Sequence, residues 1–301
     1  MAFITRSETA LMPVASASKG TRIGGNDWGL DFSIHNVSSA TPSLPPTINR
    51  NCRFTMNILI TAGNTMTLVD KVRCITNVFS GRTGAGIATY AASRGHSVWL
   101  LTSKPEVVEQ PAPERLFVES YTTFNDLEAA MHRALLGTEF DAVIHCAAVS
   151  DYDCAGVFAP STETRFDPSQ RVWESTSTEK PTLLDRRAGK IKSNEPELWL
   201  RLVQTPKLVD KIRDPWGFRG ILVKFKLEVD ISEQQLLEVA EASRLDSAAD
   251  YMVANTFDAR NDWAYFGPLD GEYARIKRTD LPQRLIAEIE GRVHKERSTQ
   301  I

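Results

Sequence analysis

Met56–Thr61, with the sequence MNILIT, decides the fold, because a short aliphatic run of this length is typical of a strand buried inside a parallel sheet. Ser97–Thr102 (SVWLLT) and Asp141–Cys146 (DAVIHC) are two further runs of the same kind. Gly84–Arg94 and Asn125–Leu136 lie between these strands and place apolar and small residues at helical spacing. This alternation of strand and helix predicts a Rossmann-like, doubly wound α/β fold with a mainly parallel sheet.

The second half of the chain predicts a mixture of strands and helices. Ser232 and Gln235 form a capping-box pattern before a helix that runs to about Asp246. A Gly-Pro-Leu-Asp-Gly turn separates two short apolar runs and indicates a C-terminal hairpin. The predicted strands are Glu197–Val203, Ile221–Phe225, Tyr251–Ala254, Trp263–Phe266 and Tyr273–Ile276, and the remaining predicted helices are Pro206–Ile212 and Asp280–Val293.

Three segments differ from this pattern in composition. Residues 1–55 contain a stretch rich in Ser, Thr, Pro and Asn, and we predict a disordered leader with Met56 as a candidate start. Residues 153–189 show no helical or strand period and are expected to form a long functional or disordered loop. The predicted organisation is therefore the leader, one domain over 56–293 that contains the 153–189 insert, and a polar tail at 294–301.

The charge balance argues against two classes of partner. The 301 residues include 35 Lys and Arg and 38 Asp and Glu, so the net charge of -3 gives no electrostatic footprint for nucleic acid or an anionic membrane. No apolar run reaches the roughly 18 residues that a membrane span needs. The four cysteines form no C-x-x-C pair and the five histidines are scattered. We therefore expect a cytoplasmic protein with reduced thiols and no metal site built from protein ligands.

Glycines follow the first strand at Gly63 and recur at Gly81, Gly84 and Gly86. A glycine-rich turn after a parallel strand lets main-chain N–H groups approach an anion, and the dipole of the next helix adds to the attraction. Ligands of doubly wound sheets bind at such carboxyl ends of strands. We therefore expect a phosphate-bearing ligand here; the alternative is that the glycines only permit tight packing of helix on strand.

Several motifs are more specific than the glycines, because their order and spacing are also informative. They are I-T-A-G-x-T at 60–65, D-x-V-R-x-I-T-N-x-x-S-G-x-x-G at 70–84, A-A-V-x-D-Y at 147–152, K-I-K at 190–192, F-K-L-E at 225–228 and A-N at 254–255. Together these motifs, spread over Met56–Ile289, closely resemble the fingerprint of the phosphopantothenoylcysteine synthetases, also called phosphopantothenate–cysteine ligases.

The resemblance implies a reaction and a set of partners. A nucleoside triphosphate, CTP or ATP with Mg²⁺, would activate the carboxylate of 4′-phosphopantothenate as an acyl nucleotide, and the amine of L-cysteine would then form the amide. The family forms homodimers through a flap and dimerisation arm, which the 153–189 insert would extend. Many bacterial members are fused to a flavin-dependent decarboxylase that a 55-residue leader cannot hold, so we expect the ligase alone, without flavin.

The resemblance also implies roles for single residues. Asn77 and Lys190 are expected to be catalytic, since a neutral amide can donate to the carbonyl of an acyl intermediate. Arg73 is expected to bind phosphate as a fork. The alternatives are a turn cap for Asn77, a surface ion pair for Arg73 and a solvated loop position for Lys190. The other expected phosphate ligands are Ser80, Gly81, Gly84 and Gly86, and the expected nucleotide ligands are Gly63, Ala147, Asp151, Lys190, Phe225 and Lys226. Asp151 is expected at the end of a buried strand.

This sequence departs from the family on one helix. Members that use CTP commonly carry lysines on the helix before the A-N strand, whereas Ser243 and Ser247 occupy the matching positions here. Lys190, Lys226 and Arg244 are the candidate cations for the triphosphate in their place. The preference between CTP and ATP therefore stays open.

Other interpretations compete with the ligase. The alternatives are a turn cap for Asp151, a plain core position for Phe225 and an exposed sheet edge for Lys226. Strand alternation puts Phe225 and Lys226 on opposite faces of the sheet. Tyr273–Lys277 fits the Y-x-x-x-K pattern of short-chain dehydrogenases. However, the later glycines lie about 20 residues beyond the first strand instead of directly on its end. A ligand-binding relative that has lost catalysis is the second alternative, because the helix lysines are missing.

Overall fold

The computed structural model describes residues 54–299, so the expected leader, apart from 54–55, and the last two residues of the expected tail lie outside it. The described strands are β1 (Asn57–Ala62), β2 (Met66–Leu68), β3 (Cys74–Thr76), β4 (Ser97–Thr102), β5 (Leu116–Ser120), β6 (Ala142–His145), β7 (Tyr152–Pro160), β8 (Thr164–Asp167), β9 (Val172–Ser175), β10 (Leu183–Asp185), β11 (Trp199–Gln204), β12 (Ile221–Glu228), β13 (Tyr251–Thr256), β14 (Trp263–Leu269) and β15 (Glu272–Lys277). The described α-helices are α1 (Arg82–Ser93), α2 (Phe124–Gly137), α3 (Leu208–Arg213), α4 (Glu233–Asp246) and α5 (Leu281–Thr299).

The central sheet has eight strands in the order β15-β14-β13-β12-β6-β1-β4-β5. The six strands from β13 to β5 in this order run parallel, whereas β14 and β15 form an antiparallel hairpin at one edge. β1 lies in the middle, where Ile58 pairs with Val98 of β4 and with Ala142 of β6. The expected mainly parallel sheet with a C-terminal hairpin is confirmed.

Helices cover both faces of the sheet, because alternate side chains of β1 point to opposite sides. Ile58 belongs to a core that also contains Ala85 of α1 and Leu285 of α5. Leu59 belongs to a second core, which contains Leu127 of α2. A strand that is buried on both faces can be apolar at every position, which explains its continuous aliphatic run. The doubly wound architecture is therefore also confirmed.

The insert is a β arm and not the irregular loop that its composition suggested. β7 pairs antiparallel with β10 and β11 in a three-stranded sheet, and β8 pairs with β9. Phe166, Trp173 and Trp199 pack together, with ring centroids 5.2, 4.7 and 4.6 Å apart. The loop expectation was wrong because this small sheet pairs segments that are distant in the sequence, and no local period reveals such pairing.

Two further segments differ from the expectations. β2 and β3 form a short hairpin between β1 and α1 that was not predicted. α5 continues through 294–299, so the described part of the expected polar tail is helical. Its charged side chains are used in ion pairs, since Arg292 pairs with Glu296 (3.0 Å) and Arg297 pairs with Asp141. Among residues 54–299, no helix has the length and apolar character needed to cross a bilayer.

α1 packs directly on β1 at one of its two glycines. A Cβ on Gly84 would lie 2.6 Å from the Cβ of Ala62, which is closer than real Cβ contacts allow. A Cβ on Gly86 would meet no atom within 4 Å. Only the first glycine is therefore required by the packing of this helix on the sheet.

We therefore expect opposite effects from two alanine substitutions. Gly84→Ala should lower the free energy of unfolding by about 1–3 kcal/mol, because the added Cβ overpacks the contact with Ala62. Gly86→Ala is the matched control and should raise it by about 0.5–1 kcal/mol, because alanine favours the helix over glycine. Urea unfolding followed by circular dichroism measures both values. Equal effects of the two substitutions would contradict the close packing.

Candidate active site

The site begins where the chain leaves the carboxyl end of β1 and later returns to α1. Gly63 follows β1 with a φ of 86° and Gly81 precedes α1 with a φ of 77°, both left-handed values that favour glycine. A Cβ on Gly81 would lie 2.9 Å from the nitrogen of Gly63, and a Cβ on Gly63 would lie 2.3 Å from Ser103 Oγ. The two glycines therefore let α1 begin in contact with the end of β1.

The first turn of α1 lacks the features that commonly neutralise a helix N-terminus. Gly81 provides no side-chain cap, and no acidic residue lies in the first turn. The helix dipole and the N–H groups of this turn therefore favour an anion, next to the exposed Ser80. Gly84 and Gly86 lie within α1, in agreement with the helix predicted over Gly84–Arg94. Gly84 packs on β1, whereas Gly86 faces open space.

Asn77 lies against the loop that follows β6. Its Nδ2 donates to the main-chain oxygen of Ala148 (3.1 Å), and its own main-chain oxygen accepts from Asn64 Nδ2 (2.5 Å). The N–H of Ala147 donates to Thr61 Oγ1 (3.2 Å). The structure thus brings Asn77 and Ala147 together with the turn after β1, as the shared edge of a parallel sheet requires.

Asp70 connects the first hairpin to the segment that carries Lys190. Its buried carboxylate accepts from Arg73 Nη2 (2.6 Å) and from the N–H of Ile191 (3.1 Å). The same Arg73 nitrogen donates to the main-chain oxygen of Ile191 (2.8 Å). The Arg73 guanidinium, together with the main-chain donors, holds the pKa of Asp70 well below its usual range.

A cleft of about 560 Å³ opens at this junction. It is lined by Val72, Arg73 and residues 190–194. The side chain of Arg73 is 46% exposed despite its ion pair, and Lys190 is exposed. Two of the expected phosphate-binding cations, Arg73 and Lys190, therefore lie in one cleft. The alternative for Arg73, an ion pair, is also present, so its charge is shared with Asp70.

Asp151 lies farther from the sheet edge than expected. β6 ends at His145, and Asp151 is exposed at the start of the arm, directly before β7. Its main-chain oxygen accepts from the N–H of Thr205 (2.9 Å). The expectation that Asp151 ends a buried strand was wrong, because the segment 146–151 continues beyond the last paired residue of β6.

Phe225 and Lys226 follow one another on β12, and strand alternation directs them to opposite faces. Phe225 packs, partly buried, against the core that α1 and α5 cover. Lys226 pairs with Glu228 (3.0 Å), and Arg244 pairs with Glu241 (2.6 Å). Both candidate replacements for the helix lysines therefore already have a carboxylate partner.

Two basic side chains, the buried Lys224 and the half-buried Arg278, were not predicted as parts of the site. Lys224 Nζ donates to the main-chain oxygen of Ser243 (2.9 Å) and contacts Ser247 Oγ, and burial lowers the pKa of this lysine. A lysine inside the apolar run of β12 was a signal for such a role. Arg278 Nη2 donates to Thr83 Oγ1 (2.5 Å) at the start of α1. No pattern in the sequence indicated that contact, because it joins residues from opposite ends of the domain.

An α/β sheet with an open helix N-terminus at the carboxyl edge of its strands is typical of proteins that bind phosphate-bearing ligands. Residues 54–162 match the model of the DNA/pantothenate metabolism flavoprotein C-terminal domain. The resemblance that the motifs indicated is thereby confirmed over residues 54–162.

Curated relatives agree with this assignment. The chain is 31% identical over 243 residues to the coenzyme A biosynthesis bifunctional protein CoaBC of Thermococcus kodakarensis, which covers 77% of this chain and 50% of that protein. It is 28% identical over 200 residues to CoaBC of Escherichia coli, which covers 66% of this chain and 41% of that protein. The chain thus spans about half the length of the curated relatives that it matches.

Solved structures show the same architecture. The DNA/pantothenate metabolism flavoprotein from Streptococcus pneumoniae superposes with a TM-score of 0.63 at 25% identity, covering 79% of this chain and 99% of that one. A Cab2 variant in complex with phosphopantothenate-cysteine superposes with a TM-score of 0.58 at 19% identity, covering 81% and 88%. At that identity, the second likeness concerns the fold alone.

The role of Asp70 can be tested by removing its charge. Asp70→Asn should make the amides of residues 190–194 exchange about tenfold faster or more, because the neutral amide loses the charge-assisted bond with Arg73 and one of the two accepting oxygens. Hydrogen exchange followed by mass spectrometry measures this. Asp167→Asn is a matched control, since Asp167 also has a lowered pKa but lies in the arm. Unchanged exchange in Asp70→Asn would contradict the connection.

The pH dependence of this connection has a defined sign. Because the pKa of Asp70 is lower in the folded chain than the ordinary value of 3.8, the charged form stabilises the fold. That stabilisation should be complete above about pH 4 and should disappear as the pH falls through the lower, folded-state pKa.

Proposed function

We propose that this chain is a phosphopantothenate–cysteine ligase. A nucleoside triphosphate, CTP or ATP, activates the carboxylate of 4′-phosphopantothenate, and the amine of L-cysteine then takes the acyl group. The observation that carries the proposal is the open N-terminus of α1, which lies at the same sheet edge as the side chain of Asn77. The relationship to CoaBC proteins supports it, as does the shared fold with the Cab2 complex.

The chemistry explains why a nucleotide is needed. A carboxylate is a poor acyl donor, because its oxygen would leave as a very basic anion. In the first step a carboxylate oxygen attacks the α-phosphorus, the bond to the bridging oxygen breaks, and pyrophosphate leaves. In the second step the amine of cysteine attacks the acyl carbon and loses a proton, while the nucleoside monophosphate leaves with the carboxylate oxygen. The enzyme contributes orientation and charge stabilisation to both steps.

The described residues suit this chemistry in specific places. In the proposal, the amide of Asn77 donates to the carbonyl oxygen of the acyl nucleotide, a role that needs no change of protonation. Arg73 and Lys190 neutralise phosphate from their common cleft. The first turn of α1 binds phosphate through its N–H groups. The other proposed ligands of phosphate or nucleotide are Gly63, Ser80, Gly81, Ala147, Asp151 and Phe225.

Mg²⁺ would accompany the nucleotide in this proposal and would neutralise part of the phosphate charge. Within the described range 54–299, no group of three or more His, Cys, Asp or Glu side chains could hold a metal ion. Flavin takes no part, because forming an amide from a carboxylate and an amine transfers no electrons.

We further propose a cytoplasmic homodimer that assembles through the arm. Large apolar side chains are exposed on the arm and on the neighbouring first hairpin, and burying them against a second copy would be favourable. They are Leu68, Val72, Ile75, Val78, Tyr152, Val172, Leu183 and Leu184. Light scattering measures the mass of the assembly directly.

The geometry disfavours the dehydrogenase alternative. Tyr273 and Lys277 lie on the strand β15, where residues four apart are separated by about 13 Å, instead of on adjacent turns of a helix. In addition, the hydroxyl of Tyr273 donates to Glu241 (2.7 Å). A catalytically inactive relative would keep all of the described geometry, so turnover is the property that separates it from the ligase.

The test of the proposal is an assay of both half-reactions. We expect pyrophosphate release from CTP or ATP only when phosphopantothenate is present, followed by amide formation when cysteine is added. Asn77→Asp should slow amide formation by about tenfold or more, with a smaller effect on pyrophosphate release, because its carboxylate repels the anionic intermediate. Asn261→Asp makes the same charge change at an exposed turn and should behave as the wild type.

Two results would count against these assignments. Absence of phosphopantothenate-dependent pyrophosphate release with both nucleotides would refute the ligase function. Wild-type rates of both half-reactions in Asn77→Asp would refute the role of Asn77 alone.

A further inference from the structure

Arg278 joins the C-terminal hairpin to α5, and its side chain extends to the start of α1. Its main-chain N–H donates to the oxygen of Asp262 (3.0 Å), which fixes the backbone at this point. Its Nη2 donates to Thr83 Oγ1 (2.5 Å). Since Thr83 belongs to the first turn of α1, the guanidinium lies at the helix N-terminus that favours an anion.

The guanidinium has an unmet hydrogen-bonding requirement. Arg278 Nη1 is buried and has no hydrogen-bond partner in the described range 54–299, a costly state for a charged donor. Among the described residues, the thiol of Cys146 is near enough to interact electrostatically with the Arg278 guanidinium. Burial raises the pKa of the Cys146 thiol to about 12, so it stays neutral and cannot balance the arginine. An anionic ligand would supply the missing partner.

Three other basic side chains, Lys226, Arg244 and Lys224, are already engaged. Lys226 and Arg244 each pair with a glutamate of their own element. Lys224 donates to the main-chain oxygen of Ser243. Lys190 lies in the cleft with Arg73. Arg278 contacts the first turn of α1 and lacks a carboxylate partner within residues 54–299. Arg82, the other cation at this helix start without an ion pair in the described range, is exposed.

Arg278 also lies on the same side of the sheet as the proposed base-binding aromatic residue. Leu281, which begins α5 just after Arg278, and Ala85 of α1 belong to one core, and Phe225 packs against that core. The N-terminus of α1, the ring of Phe225 and Arg278 thus lie on the same face of the central sheet. This arrangement favours the nucleotide over phosphopantothenate as the ligand of Arg278.

We infer that Arg278 binds the phosphate chain of the nucleoside triphosphate, together with the N–H groups of the first turn of α1. Arg278 supplies the positive charge that lysines supply in family members at the positions of Ser243 and Ser247. The hydroxyl of Thr83 orients the Arg278 guanidinium. The inference rests on the proposed function, because it names the cation of the nucleotide site in that same reaction. An arginine suits this part, since its planar fork can contact two phosphate oxygens at once.

The experiment measures binding separately from catalysis. Isothermal titration with Mg²⁺ present gives the Kd of CTP, ATP, the two monophosphates and inorganic tripolyphosphate for each variant. Arg278→Met should weaken binding of the preferred triphosphate and of tripolyphosphate by about tenfold or more, and that of the monophosphate much less. Arg278→Lys should lose less, since it keeps the charge without the fork. Lys277→Met, a charge loss at the exposed neighbouring residue, should change nothing.

Each outcome decides the inference. An unchanged triphosphate Kd in Arg278→Met would overturn it, and so would a loss confined to the KM of phosphopantothenate, which would assign Arg278 to the other substrate. If Arg278→Met does not fold by circular dichroism, Thr83→Val and Arg278→Lys decide in its place, since weaker triphosphate binding is expected from both. Arg278-dependent triphosphate binding by a wild type without ligase activity would uphold the inference and refute the proposed function. Ligase activity of the wild type, together with a triphosphate Kd that Arg278→Met leaves unchanged, would uphold the proposed function and refute the inference.

Discussion

The close approach of two glycine backbones is the constraint on which the site depends. A side chain at Gly81 would place its Cβ 2.9 Å from the nitrogen of Gly63, so the start of α1 would have to move away from the end of β1. With glycine at both positions, α1 begins at the carboxyl edge of the sheet without a side-chain cap or a nearby acidic residue. The positive end of a helix dipole is thereby fixed where ligands of doubly wound sheets bind.

The ion pair of Asp70 and Arg73 adds a second fixed element. Because the Asp70 carboxylate is buried, it must be satisfied by several donors, and these donors come from the first hairpin and from Ile191. The same contacts position the neighbouring Lys190 at the cleft. A buried carboxylate thus arranges cations that a flexible loop alone would not hold in place.

The extent of successful prediction follows from the range of the interactions involved. The parallel strands, α1, α2 and the Ser232 capping box were predictable, because burial on two faces and capping leave local patterns. The Gly63–Gly81 region was also predictable, since a turn of this kind needs glycine locally. The arm strands and Arg278 were not, because their partners lie on other elements. Lys224 left a signal as a lysine inside an apolar run, but its partner on α4 was not predictable. Asp151 was misplaced by assuming that β6 extended to it.

The measurement that tests the central claim most directly follows an oxygen atom. Phosphopantothenate labelled with oxygen-18 in its carboxylate is converted with cysteine and nucleoside triphosphate, and the products are analysed by mass spectrometry. If an acyl nucleotide forms at this site, one labelled oxygen must appear in the nucleoside monophosphate. That oxygen remains bonded to the α-phosphorus when the amine of cysteine displaces the nucleoside monophosphate from the acyl carbon. The account would be contradicted if the label appeared in inorganic phosphate, or if neither inorganic phosphate nor the nucleoside monophosphate carried it.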